Sequence, residues 1–236
     1  MSGALKPPWV SKEVFYRLPF NFCDRWCEKC GLTGICRVFK DEAKSRRRFL
    51  KRGKDPDSME CVLERIKETF EKIDKLLEED MKRLGIRPED IDEGENSSFP
   101  NAEQSPLCRL TDKFSQKLED LTGEAMIFLE ETDQKIILDN FEIISHQRLL
   151  LPPKIYRATL SKWEEEKDKE DTVFDSKTSA FIAINVLAEI TEALLNLKEY
   201  KVLKPSWNKF LRLAKLSTEL SVLIEEEFDI AGYGKN

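Results

Sequence analysis

Residues 180–190 read AFIAINVLAEI and belong to the most apolar helix that the sequence predicts. Asp175 or Ser176 is expected to begin this helix, since short polar side chains cap helix N-termini. The first half of the helix is apolar on nearly every side. A helix of this kind normally lies at the centre of a helical bundle, and the alanines here would let neighbouring helices approach closely.

A long amphipathic helix is predicted upstream of this segment. Apolar residues recur every three or four positions from Met59 to Leu84, which is the period of a helix with one buried face. Asp57 and Glu60 have the spacing of a capping box, and Gly85 is a typical C-terminal stop.

Further helical patterns fill most of the remaining sequence. One helix is expected after Ser105, another from about residue 132 to 150, and a last one from Trp207. Pro152 and Pro153 are predicted to interrupt the chain with a bend, because proline removes a helical hydrogen bond and clashes with the preceding turn. The helix is expected to resume over residues 154–163.

The predicted fold class is all-α, a bundle of about five or six helices, because no β-type alternation persists along the chain. Residues 85–105 are acidic and rich in Gly and Pro, which indicates a flexible loop. Residues 1–22 combine prolines with many aromatic side chains, which favours an extended arm packed on the bundle. The predicted domains are residues 1–56, with the arm and the cysteine module, and residues 57–236, with the bundle.

The composition suggests a cytoplasmic protein that does not enter membranes. Charged residues make up 36% of the chain, and its longest uninterrupted apolar stretch, residues 180–184, is far too short to cross a bilayer. The first residues show no signal-peptide core. A reducing compartment disfavours disulfides and makes clustered cysteines more typical of a metal site.

Four of the six cysteines lie within residues 23–36, CDRWCEKCGLTGIC, with the spacing C-x3-C-x2-C-x5-C. Thiolates this close in sequence can converge on one centre at little cost in loop closure. Zinc sites usually contain two separated C-x2-C pairs, whereas this run contains one. The pattern therefore favours an iron-sulfur cluster of the 4Fe-4S type, with zinc as the alternative. The predicted metal ligands are Cys23, Cys27, Cys30 and Cys36.

Residues 27–36, CEKCGLTGIC, resemble the C-x2-C-x5-C segment that ligates a [4Fe-4S] cluster in some nucleases of the PD-(D/E)XK superfamily, including CRISPR-associated and recombination enzymes. The resemblance covers about ten residues. No strand-borne Asp and Glu-x-Lys core is found, and an all-helical remainder could not house one. The resemblance therefore implies the cluster and not the nuclease activity.

A second resemblance covers more of the chain. Residues 23–30, CDRWCEKC, and residues 152–158, PPKIYRA, are similar to segments of a group of prokaryotic helical proteins of unknown function, which begin with a C-D-R-W-C-E-x-C type cluster. Since no activity is known for that group, the resemblance implies none here.

The sequence favours a metal-binding, iron-sulfur protein that transfers electrons or senses redox state through a protein partner. The alternative is a zinc-stabilised helical scaffold for protein or nucleic-acid interaction. Enzymatic activity is not favoured and no catalytic residue is predicted. The single histidine, His146, lies four residues after Glu142 and does not fit a di-iron bundle, so it is expected in the core or at an interface. Cys61 and Cys108 are expected in the core.

Charge is distributed unevenly. Residues 1–56 carry fourteen Lys and Arg against six Asp and Glu, a net of +8, while the whole chain is −6, which leaves −14 for the rest. Residues 40–54 alone hold eight basic residues without interleaved aromatics, so docking on the acidic bundle of the same chain or simple solvation is favoured over nucleic acid. The candidate contacts for an anion or partner are Arg46, Arg47, Arg48, Lys51, Arg52, Lys154 and Arg157.

Overall fold

A computed structural model describes residues 4–87, 101–129, 135–167, 175–200, 203 and 206–230 of this protein, and its regular elements there are helical, which confirms the all-α class. Short 3-10 turns lie at Pro19–Phe22, Cys27–Lys29 and Ala102–Gln104. The α-helices within these residues are α1 Lys12–Arg17, α2 Arg37–Lys51, α3 Met59–Leu84, α4 Pro106–Leu129, α5 Lys135–Lys167, α6 Asp175–Leu197 and α7 Trp207–Glu227.

The chain divides into two compact units. The first contains Met1–Leu32 and Pro100–Asn236, and the second contains Thr33–Phe99. This division differs from the predicted boundary after residue 56, because the segment before residue 33 packs on the core of the first unit, whereas α2 and α3 are linked to each other by ion pairs. Helix α3 therefore belongs to the second unit, and α4 to α7 belong to the first.

The first unit is a bundle of α4, α5, α6 and α7. Helix α6 packs against α5 and α7, and α4 also contacts both of those helices. Ile184, Leu187, Ile190 and Leu194 of α6 are completely or almost completely buried, which confirms that this helix is central. By length and composition alone α6 could also cross a membrane, but 61% of its most apolar 18-residue stretch is buried inside the structure.

The N-terminal segment packs on this bundle. Leu5 and Trp9 contact the main core, and the Trp9 ring meets the edge of Phe181 on α6 at a centroid distance of 5.6 Å. Prolines limit helix formation here, as predicted, to the six-residue α1. Phe15 and Phe22 form part of a small second cluster of buried side chains.

Helix α3 has nearly the predicted bounds. Gly85 ends it with a φ of 68°, a left-handed conformation that glycine adopts without a steric penalty. Ser58, and not Asp57, caps its start, because the Ser58 hydroxyl accepts the Cys61 N–H at 3.4 Å. Asp57 instead pairs with Arg46 on α2.

The apolar stripe of α3 is exposed, although the sequence predicts that it joins the bundle core. Phe70 retains 62% of its accessible surface and Leu63 retains 57%. Helix α2 contacts α3 through charged side chains on a different face, at Glu64 and Glu68. The period of the helix could be predicted from sequence, but the partner of its apolar face could not.

Helix α5 runs through Pro152 and Pro153 without interruption, so the predicted break is wrong. Pro152 has no N–H to donate to the carbonyl of Arg148, four residues earlier. That carbonyl accepts a hydrogen bond at 2.7 Å from the Ser115 hydroxyl on α4 instead. A neighbouring helix therefore supplies the donor that proline removes.

The predicted loop over residues 85–105 lies mostly outside the described residues. At its end, the Asn101 side chain accepts the Glu103 N–H and begins the 3-10 turn that precedes α4.

Replacing Ser115 by Ala is expected to lower the free energy of unfolding by about 1 kcal/mol, because the Arg148 carbonyl loses its donor in a partly buried site. In a Pro152→Ala background residue 152 regains an N–H, so Ser115→Ala should cost measurably less. Urea unfolding of the two single variants and the double variant gives this coupling. Equal costs in both backgrounds would contradict the role assigned to Ser115.

Candidate functional site

Consecutive tight turns shape the cysteine segment. The Asp24 carboxylate accepts the Trp26 N–H at 3.0 Å, a bond that Asp commonly makes in turns. Arg25 between them has a φ of 62°, which costs a non-glycine residue roughly 1 to 2 kcal/mol. The Cys30 N–H then bonds to the Cys27 carbonyl at 3.2 Å. The C-x2-C pair is therefore held on a single 3-10 turn.

The Asp24 side chain anchors this segment to two helices of the bundle. Asp24 is buried, and its second carboxylate oxygen lies 3.4 Å from the Gln147 Nε2 on α5. The same Nε2 donates to Glu189 on α6 at 2.5 Å. His146 Nε2 lies 3.1 Å from the Asp24 carbonyl oxygen. One buried turn is thus tied to both α5 and α6.

Trp26 is a second anchor. Its ring is buried and stacks on His146 with 4.4 Å between centroids and an interplanar angle of 21°. The Lys29 ammonium lies 3.6 Å from the centre of the Trp26 ring and forms an ion pair with Glu142 at 3.0 Å. His146 is therefore an interface residue, in agreement with the sequence-based prediction.

Burial shifts the pKa of three groups around the anchor. It raises the pKa of the Cys23 thiol, and a hydrogen bond with the Arg25 backbone and the positive charges of Arg25 and Lys154 only partly offset this effect. Burial also lowers the pKa of Lys154. It raises the pKa of the Glu189 carboxyl group, and the negative charge of neighbouring Asp24 raises that pKa further. A neutral Glu189 would avoid repulsion between two carboxylates that share the Gln147 amide.

The cysteines of the segment differ in their surroundings. Cys23 is buried, and its thiol lies 3.5 Å from the Phe20 carbonyl oxygen. Cys27 and Cys30 are partly exposed. The Cys30 sulfur accepts the Leu32 N–H at 3.4 Å. N–H groups that point at cysteine sulfur in this way are typical of sites that hold a metal thiolate.

Cys36 lies in the second compact unit, directly before α2. Among the residues that the structure describes, no three Cys, His, Asp or Glu side chains are arranged to hold a metal ion. The convergence of four thiols therefore stays a prediction from their spacing. Cys61 and Cys108 are buried, as predicted.

The predicted anion-contact residues are divided between the two units, with Lys154 and Arg157 in the first and the basic tract in the second. Lys154 is half-buried on α5, while Arg157 pairs with Asp175 at 2.6 Å. The basic tract, for which no helix is predicted, lies mostly on α2. Three of its arginines are paired with carboxylates, and its remaining candidates, Arg47 and Lys51, form no ion pair within the described part of the chain. The paired arginines are Arg46 with Asp57, Arg48 with Glu68 and Arg52 with Glu64.

No family model, no curated protein and no solved structure matches this chain. Its site must therefore be interpreted from its own residues.

Sequence reasoning missed the residues that hold the segment in place. Gln147 is fully buried on α5, and its Oε1 atom has no hydrogen-bond partner among the described residues. Asp24 could have been suspected, because Asp two residues before a tryptophan in a cysteine-rich turn is well placed to bond the backbone. No sequence signal distinguishes Gln147 from a surface glutamine.

Replacing Asp24 by Ala should loosen the cysteine segment, because the Trp26 N–H and the Gln147 amide both lose an acceptor. The expected loss in unfolding free energy is about 1 to 3 kcal/mol, with faster proteolysis near residue 25. Glu28→Ala is the matched control, since it removes an exposed carboxylate from the same segment. Equal effects of the two changes would mean that Asp24 is not an anchor.

Proposed function

We propose that the cysteine segment binds a metal centre through Cys23, Cys27, Cys30 and Cys36. The observation that carries this proposal is the density of thiols, four within fourteen residues of a chain whose two other cysteines are buried in helices. Short separations between ligands keep the entropy cost of assembling such a site low.

Local features of the segment suit this role. The Leu32 N–H that points at the Cys30 sulfur would stabilise a thiolate there and tune a bound metal. The anchors at Asp24 and Trp26 limit the motion of the chain between Cys23 and Cys27. Ligands on a segment fixed by other contacts lose less entropy when they bind.

An iron-sulfur cluster of the 4Fe-4S type is the favoured centre, because all four cysteines lie in one run with a single C-x2-C pair. Such a cluster supplies one-electron chemistry, and its potential depends on hydrogen bonds to sulfur and on exposure to solvent. Cys27 and Cys30 are partly exposed, so a protein partner could exchange electrons at this edge. The proposed function is electron transfer or redox sensing.

The second candidate is a zinc-stabilised scaffold for protein or nucleic-acid interaction. The observation that favours it is the set of contacts made by Asp24, Trp26 and Lys29 with α5, since a closed tetrahedral zinc site would add to the same attachment. Structural zinc contributes directly to folding free energy. In this case the metal would have no redox role.

Anaerobic purification followed by absorption spectroscopy and analysis of iron, sulfide and zinc tests the proposal. The favoured function predicts stoichiometric iron and sulfide with a broad visible band that a reductant bleaches reversibly. Cys30→Ala should abolish both the band and the iron. Cys61→Ala and Cys108→Ala are matched controls, because each removes a thiol outside the segment, and both should keep the metal.

The two candidates give distinct results. Colourless protein with one zinc, lost in Cys30→Ala together with thermal stability, would replace the redox function by the scaffold. Folded protein that holds neither metal would overturn both.

A further inference from the structure

The basic residues from Lys40 to Arg52 fall into two groups. Arg46 is held by both oxygens of Asp57, at 2.5 and 2.7 Å, while Arg48 and Arg52 pair with glutamates of α3 at 2.7 and 2.9 Å. These arginines already have anionic partners within their own unit. They contribute little net positive potential to a ligand.

The second group is unpaired and lies on one face of the helix. Its members are four, three and four residues apart, the spacing that aligns side chains along an α-helix. All are exposed, and none of their side chains forms an ion pair or hydrogen bond with any residue in the described part of the chain. The row spans twelve residues, with about 17 Å along the helix between the first and the last. It consists of Lys40, Lys44, Arg47 and Lys51.

This row borders a groove of about 1340 Å³ between α2 and α3. Eight of the fifteen residues that line the groove are Lys or Arg, and two are acidic. Lys72 contributes one cation from α3, opposite the row. Among the described residues of the lining, Phe39, beside Lys40, is the only aromatic one. The groove thus combines a row of cationic side chains that lack ion-pair partners in the part of the chain described with the aromatic ring of Phe39.

We propose that this groove binds single-stranded nucleic acid. Proteins bind single strands with a cationic groove that follows the phosphates and with aromatic rings on which bases stack. The four aligned cations would contact successive phosphates, and Phe39 would contact a base. An anionic membrane fits less well, because it requires a broad apolar helix face, and Phe49 of α2 is fully buried.

Anisotropy of labelled dT20 and U20 with the full chain measures this binding, and tight binding of either strand supports the proposal. Four phosphate contacts predict a slope of log K against log salt of about −3. The double variant Lys44→Gln with Arg47→Gln should weaken binding at least tenfold and reduce the slope by about 1.4.

The matched control is Arg46→Gln with Lys54→Gln, which removes the same charge from side chains that are ion-paired and lie outside the groove. It should change affinity by less than about threefold. Phe39→Ala should weaken binding roughly tenfold without changing the salt slope. Circular dichroism checks that each variant is folded.

Three outcomes would overturn the proposal: no binding at low salt, equal loss in the Lys44/Arg47 and Arg46/Lys54 variants, or stronger binding to phosphatidylserine vesicles or duplex than to either strand. The proposal does not depend on the metal centre, since the variants leave every cysteine unchanged.

The exposed stripe of α3 shows a separate feature, the spacing of a coiled coil. Its positions alternate four and three residues apart along the whole 26-residue helix, which is the a and d pattern of the heptad repeat. All but one of them are apolar. They are Met59, Leu63, Ile66, Phe70, Ile73, Leu77, Asp80 and Leu84.

We infer that this stripe pairs with α3 of a second copy of the chain, in antiparallel orientation. The flanking charges support pairing between two copies. An antiparallel alignment that sets Phe70 against the partner's Ile73 also brings Lys67 beside the partner's Asp74. By symmetry, Asp74 then lies beside the partner's Lys67. A parallel pair would instead place Asp80 against the partner's Asp80. Antiparallel pairing sets Asp80 against the partner's Leu63.

Light scattering coupled to gel filtration should therefore give a dimer mass for the full chain. Phe70→Asp should give a monomer, whereas Leu50→Asp, which changes an equally exposed apolar residue of α2, should leave the dimer intact. Lys67→Asp and Asp74→Lys should each weaken the dimer, and the double variant should restore it. A monomer at every concentration would overturn dimerisation, and failure of the double variant to restore it would overturn the antiparallel orientation.

Discussion

A buried amide connects the cysteine segment to two helices of the bundle at once. Gln147 Nε2 lies between the carboxylates of Asp24 and Glu189, so one side chain of α5 contacts both the cysteine turn and α6. An unpaired buried polar group costs about 1 to 3 kcal/mol, so each member of this network depends on the others. The turn that carries the cysteines is thus fixed by a residue 123 positions later in the chain.

In the second unit, the net charge around each arginine depends on whether a carboxylate lies next to it. The basic tract of α2 appears uniform in sequence, yet Arg46, Arg48 and Arg52 are neutralised by carboxylates while Arg47 between them is not. Helical geometry decides which side chains face α3. The charge available to a ligand is therefore set by the arrangement of the two helices and not by the number of basic residues.

The sequence alone predicts features that depend on local chemistry. The end of α3 at Gly85 and the central position of α6 follow from backbone preference and apolar content. The sequence alone does not predict features that depend on a residue far away along the chain. Ser115 lets α5 continue through Pro152, and Gln147 completes the Asp24 anchor. Neither contact can be predicted from the residues next to it in the sequence. The metal centre remains a prediction from cysteine spacing.

The bond from Ser115 to the Arg148 carbonyl also bears on the order in which the bundle assembles. Since Pro152 cannot donate to that carbonyl, the middle of α5 lacks one hydrogen bond until α4 has docked. Sliding α4 by one turn would move Ser115 by about 5.4 Å and break the contact. The proline pair therefore selects one axial alignment of α4 and α5, which the apolar stripes of the two helices would not distinguish by themselves.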